Sequence, residues 1–411
     1  MNGVLSVTTP HRMRLARIAD GLAAAVAVSL PWSTSATGIL IVLWLIALVP
    51  TLDGASLRRE VLSAAGGLPV LLWALGAVGM LWAEASWSDR IAGLSGFHKL
   101  LLIPLLLVQF RRSEQVQWVI LGFLASCALL LVVSWMLVLI PGLPWRGSKS
   151  PGVPVKDYMS QSALFAVCAF GLIDRAAELW RTGKERAIVL LLAAALFIAN
   201  IAFVATGRTT LIVLAVLALL FGLRKSGWRG GLGVCVIGGV LSAGLWASSP
   251  YLRDRVSTAI EEVERYSANN VTSAGLRLEY WRKSLTFIAE APAVGHGTGT
   301  IPQLFRRDVG PDTDRQLITT NPHNQILTVA IQLGFLGAIA LIAMWAAHIA
   351  LFRDHTSFAW LGLVVVVQNM VGSLFNSYLF DFGQGWLYVL GVGIMGGTVL
   401  RGRPSDSGSK G

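Results

Sequence analysis

Three side chains combine a reactive type with a setting beside long apolar runs: His323, Arg208 and Arg277. His323 stands in Asn321-Pro322-His323-Asn324-Gln325-Ile326-Leu327, where a polar stretch gives way to an apolar one. Asn321 suits an N-cap and Pro322 a first helical position, so the spacing predicts His323 in the first turn of a helix. The positive end of a helix dipole favours neutral imidazole, the form a general base needs near pH 7. A lone histidine at a helix end more often only bonds a carbonyl, so the base role depends on what shares its surface.

Arg208 lies in Thr206-Gly207-Arg208-Thr209-Thr210, between two apolar runs. One reading is an arginine snorkelling to the interface. The other is an anion contact, with the following helix N-terminus adding backbone donors for a phosphate. Arg277 is followed one turn later by Trp281, which the spacing allows to pack over it, and Arg282 competes for the same role. His296 is the alternative base. It sits in Gly295-His296-Gly297-Thr298-Gly299, where no strand precedes the glycines and a turn, not a dinucleotide fingerprint, is expected. Arg146, Lys149 and Lys156 form a short basic loop suited to phosphates or anionic headgroups. Asp312 and Asp314 could hold a metal, but Arg306, Arg307 and Arg315 flank them as ion-pair partners. We expect neither a metal site nor a cofactor.

These residues need a scaffold, and composition defines it. Apolar residues make up 55% and charged ones 13%, about half the usual soluble fraction. Cys127, Cys168 and Cys235 lie in apolar runs and read as small core residues. About twelve runs approach the length a membrane span needs, centred near Val26, Leu43, Leu75, Leu105, Leu130, Phe170, Leu196, Leu214, Gly238, Ile339, Val365 and Leu390. The chain reads as an all-α integral membrane protein of about 12 transmembrane helices with one large helical periplasmic loop. The net charge of +11 follows from Lys and Arg gathered on alternate loops, which predicts both termini in the cytoplasm. With no basic module, nucleic acid is not an expected partner; membrane lipids are. The division is residues 1–249 for helices one to nine, 250–321 for the loop, and 322–411 for the last three helices and a short tail. In the loop nine basic residues balance nine acidic ones. Helical spacing recurs over Leu252, Val256, Ile260 and Val263, and again over Leu276, Tyr280, Leu285 and Ile288.

The order of the Arg208 turn, the Arg277 helix with Trp281, the Pro292–Gly299 turn, Pro322-His323-Asn324-Gln325 and Gln332-Leu333-Gly334-Phe335-Leu336-Gly337 resembles the O-antigen ligase and O-antigen polymerase superfamily of bacterial polytopic glycosyltransferases. The likeness covers roughly residues 190 to 350. Gly207 and Gln325 stand where serine is common in the family. The resemblance implies a GT-C-like bundle in the bacterial inner membrane with its active site facing the periplasm. It also implies transfer of a glycan from undecaprenyl pyrophosphate to lipid A–core, inversion at the anomeric carbon, and no need of a metal. His323 would be the base, and Arg208 and Arg277 would bind the pyrophosphate.

Related readings are an O-antigen polymerase, with a second lipid-linked glycan as acceptor, and a protein O-oligosaccharyltransferase. A reading from another class is a lipid-linked glycan transporter. It ranks lower, because no internal repeat is visible and the notable charges sit at the ends of the apolar runs.

Overall fold

Small polar side chains set where the helices begin. Ser33, Asp53, Ser63, Ser86, Asp157, Asn324 and Thr356 each accept a backbone N–H at a helix start. The computed structural model describes residues 10–140, 142–143, 145, 151–205, 207–248, 273–307 and 318–403. The helices are α1 (Pro10–Ser29), α2 (Thr34–Leu48), α3 (Gly54–Leu62), α4 (Ala64–Gly79), α5 (Trp87–His98), α6 (Leu102–Phe110), α7 (Val116–Leu139), α8 (Tyr158–Leu179), α9 (Lys184–Phe203), α10 (Arg208–Ser248), α11 (Ser273–Glu290), α12 (Ile301–Arg307), α13 (Gln325–Leu351), α14 (Ser357–Ser373) and α15 (Phe382–Gly402). No strand occurs among the described residues.

Each of the apolar centres read from the sequence falls inside a helix, and α10 holds two of them, its limbs meeting at Ser226 and Gly227. Among the described residues, seven helices are long and apolar enough to cross a membrane. The number is eight if α3 and α4, bent by 81°, form one broken span. Ser33, capping α2, closes a hairpin in which α1 and α2 pack together. The chain is thus an all-helical polytopic membrane protein. The Leu252–Val263 repeat lies outside the described residues.

A large core joins most helices, and a second, smaller one forms around Tyr280, Phe287, Ile288, Ile301, Leu304, Phe305 and Ile331. The second core seats α11 and α12 on the first half of α13. It corrects the face expected for α11: Tyr280 and Ile288 point inward, but Leu285 is 61% exposed and Phe287 is fully buried. Hydrophobic spacing identified the helix but not which apolar side faces protein.

α13 is broken at Gly334, where φ is 62° and ψ is −160°. The break frees backbone groups inside an apolar helix, where an unpaired group costs several kcal/mol. The 291–299 turn satisfies them. His296 and Gly297 N–H donate to the Ile331 and Gln332 carbonyls, both at 2.9 Å, and Phe335 N–H donates to the Pro292 carbonyl at 2.7 Å. Gly334 has no room for a side chain, since a Cβ there would stand 2.4 Å from the Ala293 carbonyl. Gly295, Gly297 and Gly299 all have positive φ, and they bring the turn's backbone against α13, Ala83 and Asp89. These glycines serve backbone-to-backbone approach.

Candidate active site

Four segments meet at one end of the bundle: the 318–324 stretch before α13, the 374–381 turn between α14 and α15, the start of α10, and α11. His323 lies just outside the helix, not in its first turn as the sequence suggested. Asn324 is the N-cap, accepting from Ile326 and Leu327 N–H at 2.9 and 3.1 Å. Asn321 instead closes a local turn, its Oδ1 accepting the His323 N–H at 2.8 Å. His323 has φ 57°, a left-handed conformation that no helix accepts and few non-glycine residues adopt. Held there, the imidazole is half-buried and stacks on Tyr280 of α11, with ring centroids 6.1 Å apart.

The ring is also tied at one nitrogen. Nδ1 lies 2.9 Å from Asn376 Oδ1, and no described residue hydrogen-bonds Nε2. Burial holds the His323 pKa below its ordinary value; the Asn376 bond pulls it back up, and the Arg277 charge pushes it down. Arg277 is therefore within electrostatic reach of His323. It is half-buried and, among the described residues, has neither a carboxylate nor a hydrogen-bond partner. Trp281 does not stack on it; it packs against the small core around Tyr280 and Phe287.

Arg208 opens α10 and is exposed, also without a carboxylate among the described residues. It is not in direct contact with His323. Its helix start is tied to α8, Thr210 Oγ1 lying 2.8 Å from Ser162 Oγ, and Thr210 is close enough to Tyr378, two residues from Asn376, to influence its hydroxyl. The structure thus sets Arg277 beside His323 and Arg208 on the same end.

The secondary candidates fare differently. Arg282 is exposed and forks onto Glu279 at 2.7 and 3.0 Å. His296 Nε2 bonds the Phe287 carbonyl at 2.8 Å, which pins the turn to α11 and gives the ring a scaffolding role. The Lys156 ammonium bonds the Leu30 carbonyl and lies 5.0 Å from the Phe382 ring centroid. Burial draws its pKa down to about 8 against the pull of Asp157. Arg146, Lys149, Asp312, Asp314 and Arg315 lie outside the described residues. Among the described residues no group of three or more His, Cys, Asp or Glu is arranged to hold a metal.

Reading the sequence missed Asn376, Asp381 and Lys99. Asn376 Nδ2 donates to Asp381 Oδ2 at 3.0 Å. Burial raises the Asp381 carboxyl to about 6, against the pull of Lys99 and with the Asp157 charge adding to the rise. Lys99 Nζ donates to the Phe380 and Asp381 carbonyls at 3.0 and 2.8 Å. The available signal was polar residues set into apolar runs, Lys99 in one and Asn376-Ser377 between two others, where such groups are expensive to bury and rarely idle.

An all-helical membrane bundle with a histidine and two arginines at one end, the arginines without a carboxylate among the described residues, describes a class of protein. Residues 192–342 match the family model described as O-antigen ligase. The match bears out the resemblance to the O-antigen ligase superfamily and supports a ligase or polymerase type of function. The matched stretch contains Arg208, Arg277, the glycine turn and His323, and it ends before Asn376 and Asp381. A search of curated proteins finds no match.

Proposed function

We propose that this chain is a periplasm-facing glycosyltransferase of the inner membrane that moves O-antigen polysaccharide from undecaprenyl pyrophosphate to lipid A–core. The observation that carries the reading is the half-buried Arg277, with no carboxylate among the described residues, within electrostatic reach of a histidine whose Nε2 no described residue hydrogen-bonds. His323 Nε2 takes the proton of the acceptor hydroxyl as its oxygen bonds to the anomeric carbon. The bond from that carbon to the pyrophosphate oxygen breaks, and the leaving pyrophosphate keeps the electron pair. Arg277 and Arg208 stabilise that charge through forked donors, so the chemistry asks for little protonation of the leaving group. In-line attack inverts the anomeric centre. The 250–321 stretch, which contains α11 and α12, lies on the periplasmic side and both termini are cytoplasmic, a topology that the Lys and Arg distribution supports.

The test is reconstitution in lipid with an undecaprenyl-pyrophosphate glycan and three acceptors offered separately: lipid A–core, a second lipid-linked glycan, and a protein. Glycosylated lipid A–core is the expected product. Product only with the second or third acceptor reassigns the chain to polymerase or protein glycosylation. Donor crossing the membrane with no new covalent product overturns the enzyme reading.

A further inference from the structure

The hydrogen bonds around His323 form a chain with few alternatives. Asn321 Oδ1 accepts both the His323 N–H at 2.8 Å and the Ser377 hydroxyl at 2.7 Å. A backbone N–H can only donate, so the oxygen of the Asn321 amide must face it. That leaves Asn321 Nδ2 directed at Asn376, 3.1 Å from its Oδ1. The Asn376 atom facing that donor must be its oxygen. From the other side, the Asp381 carboxylate only accepts when ionised, so the Asn376 Nδ2 must face it, at 3.0 Å. Two independent neighbours therefore orient the Asn376 amide the same way. The remaining acceptor direction of Oδ1 lies 2.9 Å from His323 Nδ1.

An acceptor-only partner there demands a proton on Nδ1. In a neutral imidazole the lone pair must then sit on Nε2. The Tyr280 ring stacked on one face and the left-handed backbone at His323 hold the ring in place. Lys99, bonded to the Asp381 backbone carbonyl, holds the 374–381 turn and stands as the nearby counter-charge of Asp381. Asp157, at the start of α8, is the other carboxylate whose charge reaches Asp381.

We propose that Asn376, oriented by Asp381 on one side and Asn321 on the other, is a positioning residue that locks His323 in the Nδ1–H tautomer and so presents Nε2 as the proton acceptor. The proposal deepens the glycosyltransferase reading and rests on it for the role of Nε2. Its tautomer content stands independently of any reaction. Asn376 does not touch the reacting atoms; it acts through His323.

The experiment is 15N NMR of histidine-labelled protein in lipid nanodiscs at pH 7.5, with the His323 signals assigned by their loss in His323→Gln. Thermal unfolding of each variant checks that it folds. The expected wild-type spectrum has a protonated Nδ1 and a bare Nε2. Asn376→Leu removes the acceptor, so a mixed or reversed tautomer is expected, with kcat for transfer down about 10–100-fold and the donor KM unchanged. Asn376→Asp keeps an acceptor-only partner: the Nδ1–H tautomer should persist, kcat should recover in part, and the acid limb of the pH profile should move to higher pH because a carboxylate favours imidazolium. Asp381→Asn frees one of the two constraints and should give a smaller loss than Asn376→Leu. A wild-type Nε2–H tautomer overturns the proposal. So does an Asn376→Leu protein with unchanged spectrum and kcat. If the Nδ1–H tautomer is found but no acceptor is glycosylated, the positioning chain stands and the glycosyltransferase reading falls. Transfer with the opposite tautomer does the reverse.

Discussion

The two ends of the helical bundle differ in how some of their cations are held. At the end where α8, α13 and α15 finish, a set of positive groups meets acceptors from neighbouring helices. Arg403 forks onto Asp354 at 2.9 and 3.0 Å, Lys225 pairs with the buried Asp174 at 2.7 Å, and Arg111 reaches the buried Glu60 at 3.1 Å. Arg112 pairs with Asp53, and Arg401 donates to the Ser113 carbonyl. At the His323 end, Arg282 and Arg307 pair with Glu279 and Glu290, but Arg208 and Arg277 have no carboxylate among the described residues, and Asp157 and Asp381 serve a helix cap and an amide. Neutralised cations staple helix ends. A cation left unneutralised beside an apolar phase keeps a desolvation cost, and a bound anion can offset it. The difference separates cations that hold the fold from cations available to a phosphate-bearing substrate.

Substitution at the His323 end tests this division most strongly. His323→Ala should lower transfer by roughly 10²–10⁴-fold, the usual contribution of a general base, with the unfolding midpoint little changed. Glycan transfer and thermal unfolding on the same preparation check both halves, and near-wild-type transfer removes His323 from the chemistry. Arg277→Ala and Arg208→Ala should each cost about 10²–10³-fold in turnover of the pyrophosphate donor, with lysine restoring only part because the planar fork is lost. An alanine variant whose donor dependence is unchanged moves that arginine to the structural class.

The opposite end should respond in stability and not in turnover. Lys225→Met leaves the buried Asp174 carboxylate with the Ser357 hydroxyl as its one hydrogen-bond partner among the described residues, 2.8 Å away, and should lower unfolding free energy by about 1–3 kcal/mol. Activity per folded molecule should hold. A loss of turnover without loss of stability breaks the comparison between the two ends. Back at the His323 end, Arg282→Ala marks the small end of the scale: its exposed pair with Glu279 is worth under about 1 kcal/mol, and transfer should stay within about twofold.

Acidity gives a check confined to the His323 end. In the proposed mechanism the base is neutral and Asp381 ionised. The His323 pKa lies below its ordinary value and that of Asp381 is about 6, so acid protonates Asp381 at about 6 and charges His323 below the ordinary imidazole range. Transfer should be flat above neutrality and fall on the acid side, as kcat/KM against pH would record. An acid limb centred well above 7 contradicts the burial that lowers the His323 pKa.

How far the sequence reached can be judged from particular residues. The long apolar runs at Val26, Leu130 or Ile339 are helices because an apolar phase leaves a backbone few other ways to pair its own groups. The face of α11 was not legible. Leu285 and Phe287 are both apolar, and only packing on α12 and α13 turns one outward and the other inward. Nor was the start of α13. Asn321 and Asn324 are equally good caps, and the bond from the His323 N–H to Asn321 decides for Asn324. His296 and His323 were close rivals as residue types; carbonyl capture of the one and an open Nε2 on the other separate them.

Local chemistry, written in residue order, determined the helices, the glycine-rich turn, and the presence of a histidine and two arginines near the ends of apolar runs. Only the tertiary structure decided that Asn376 and Asp381, more than fifty residues beyond His323, complete its surroundings. It also decided that Gly334 and the 291–299 turn share one set of backbone bonds. The physical reason is that hydropathy and capping act within a few turns of chain. The direction of an amide, the tautomer of a ring and the lack of a counter-ion are properties of neighbours that meet only once the helices pack.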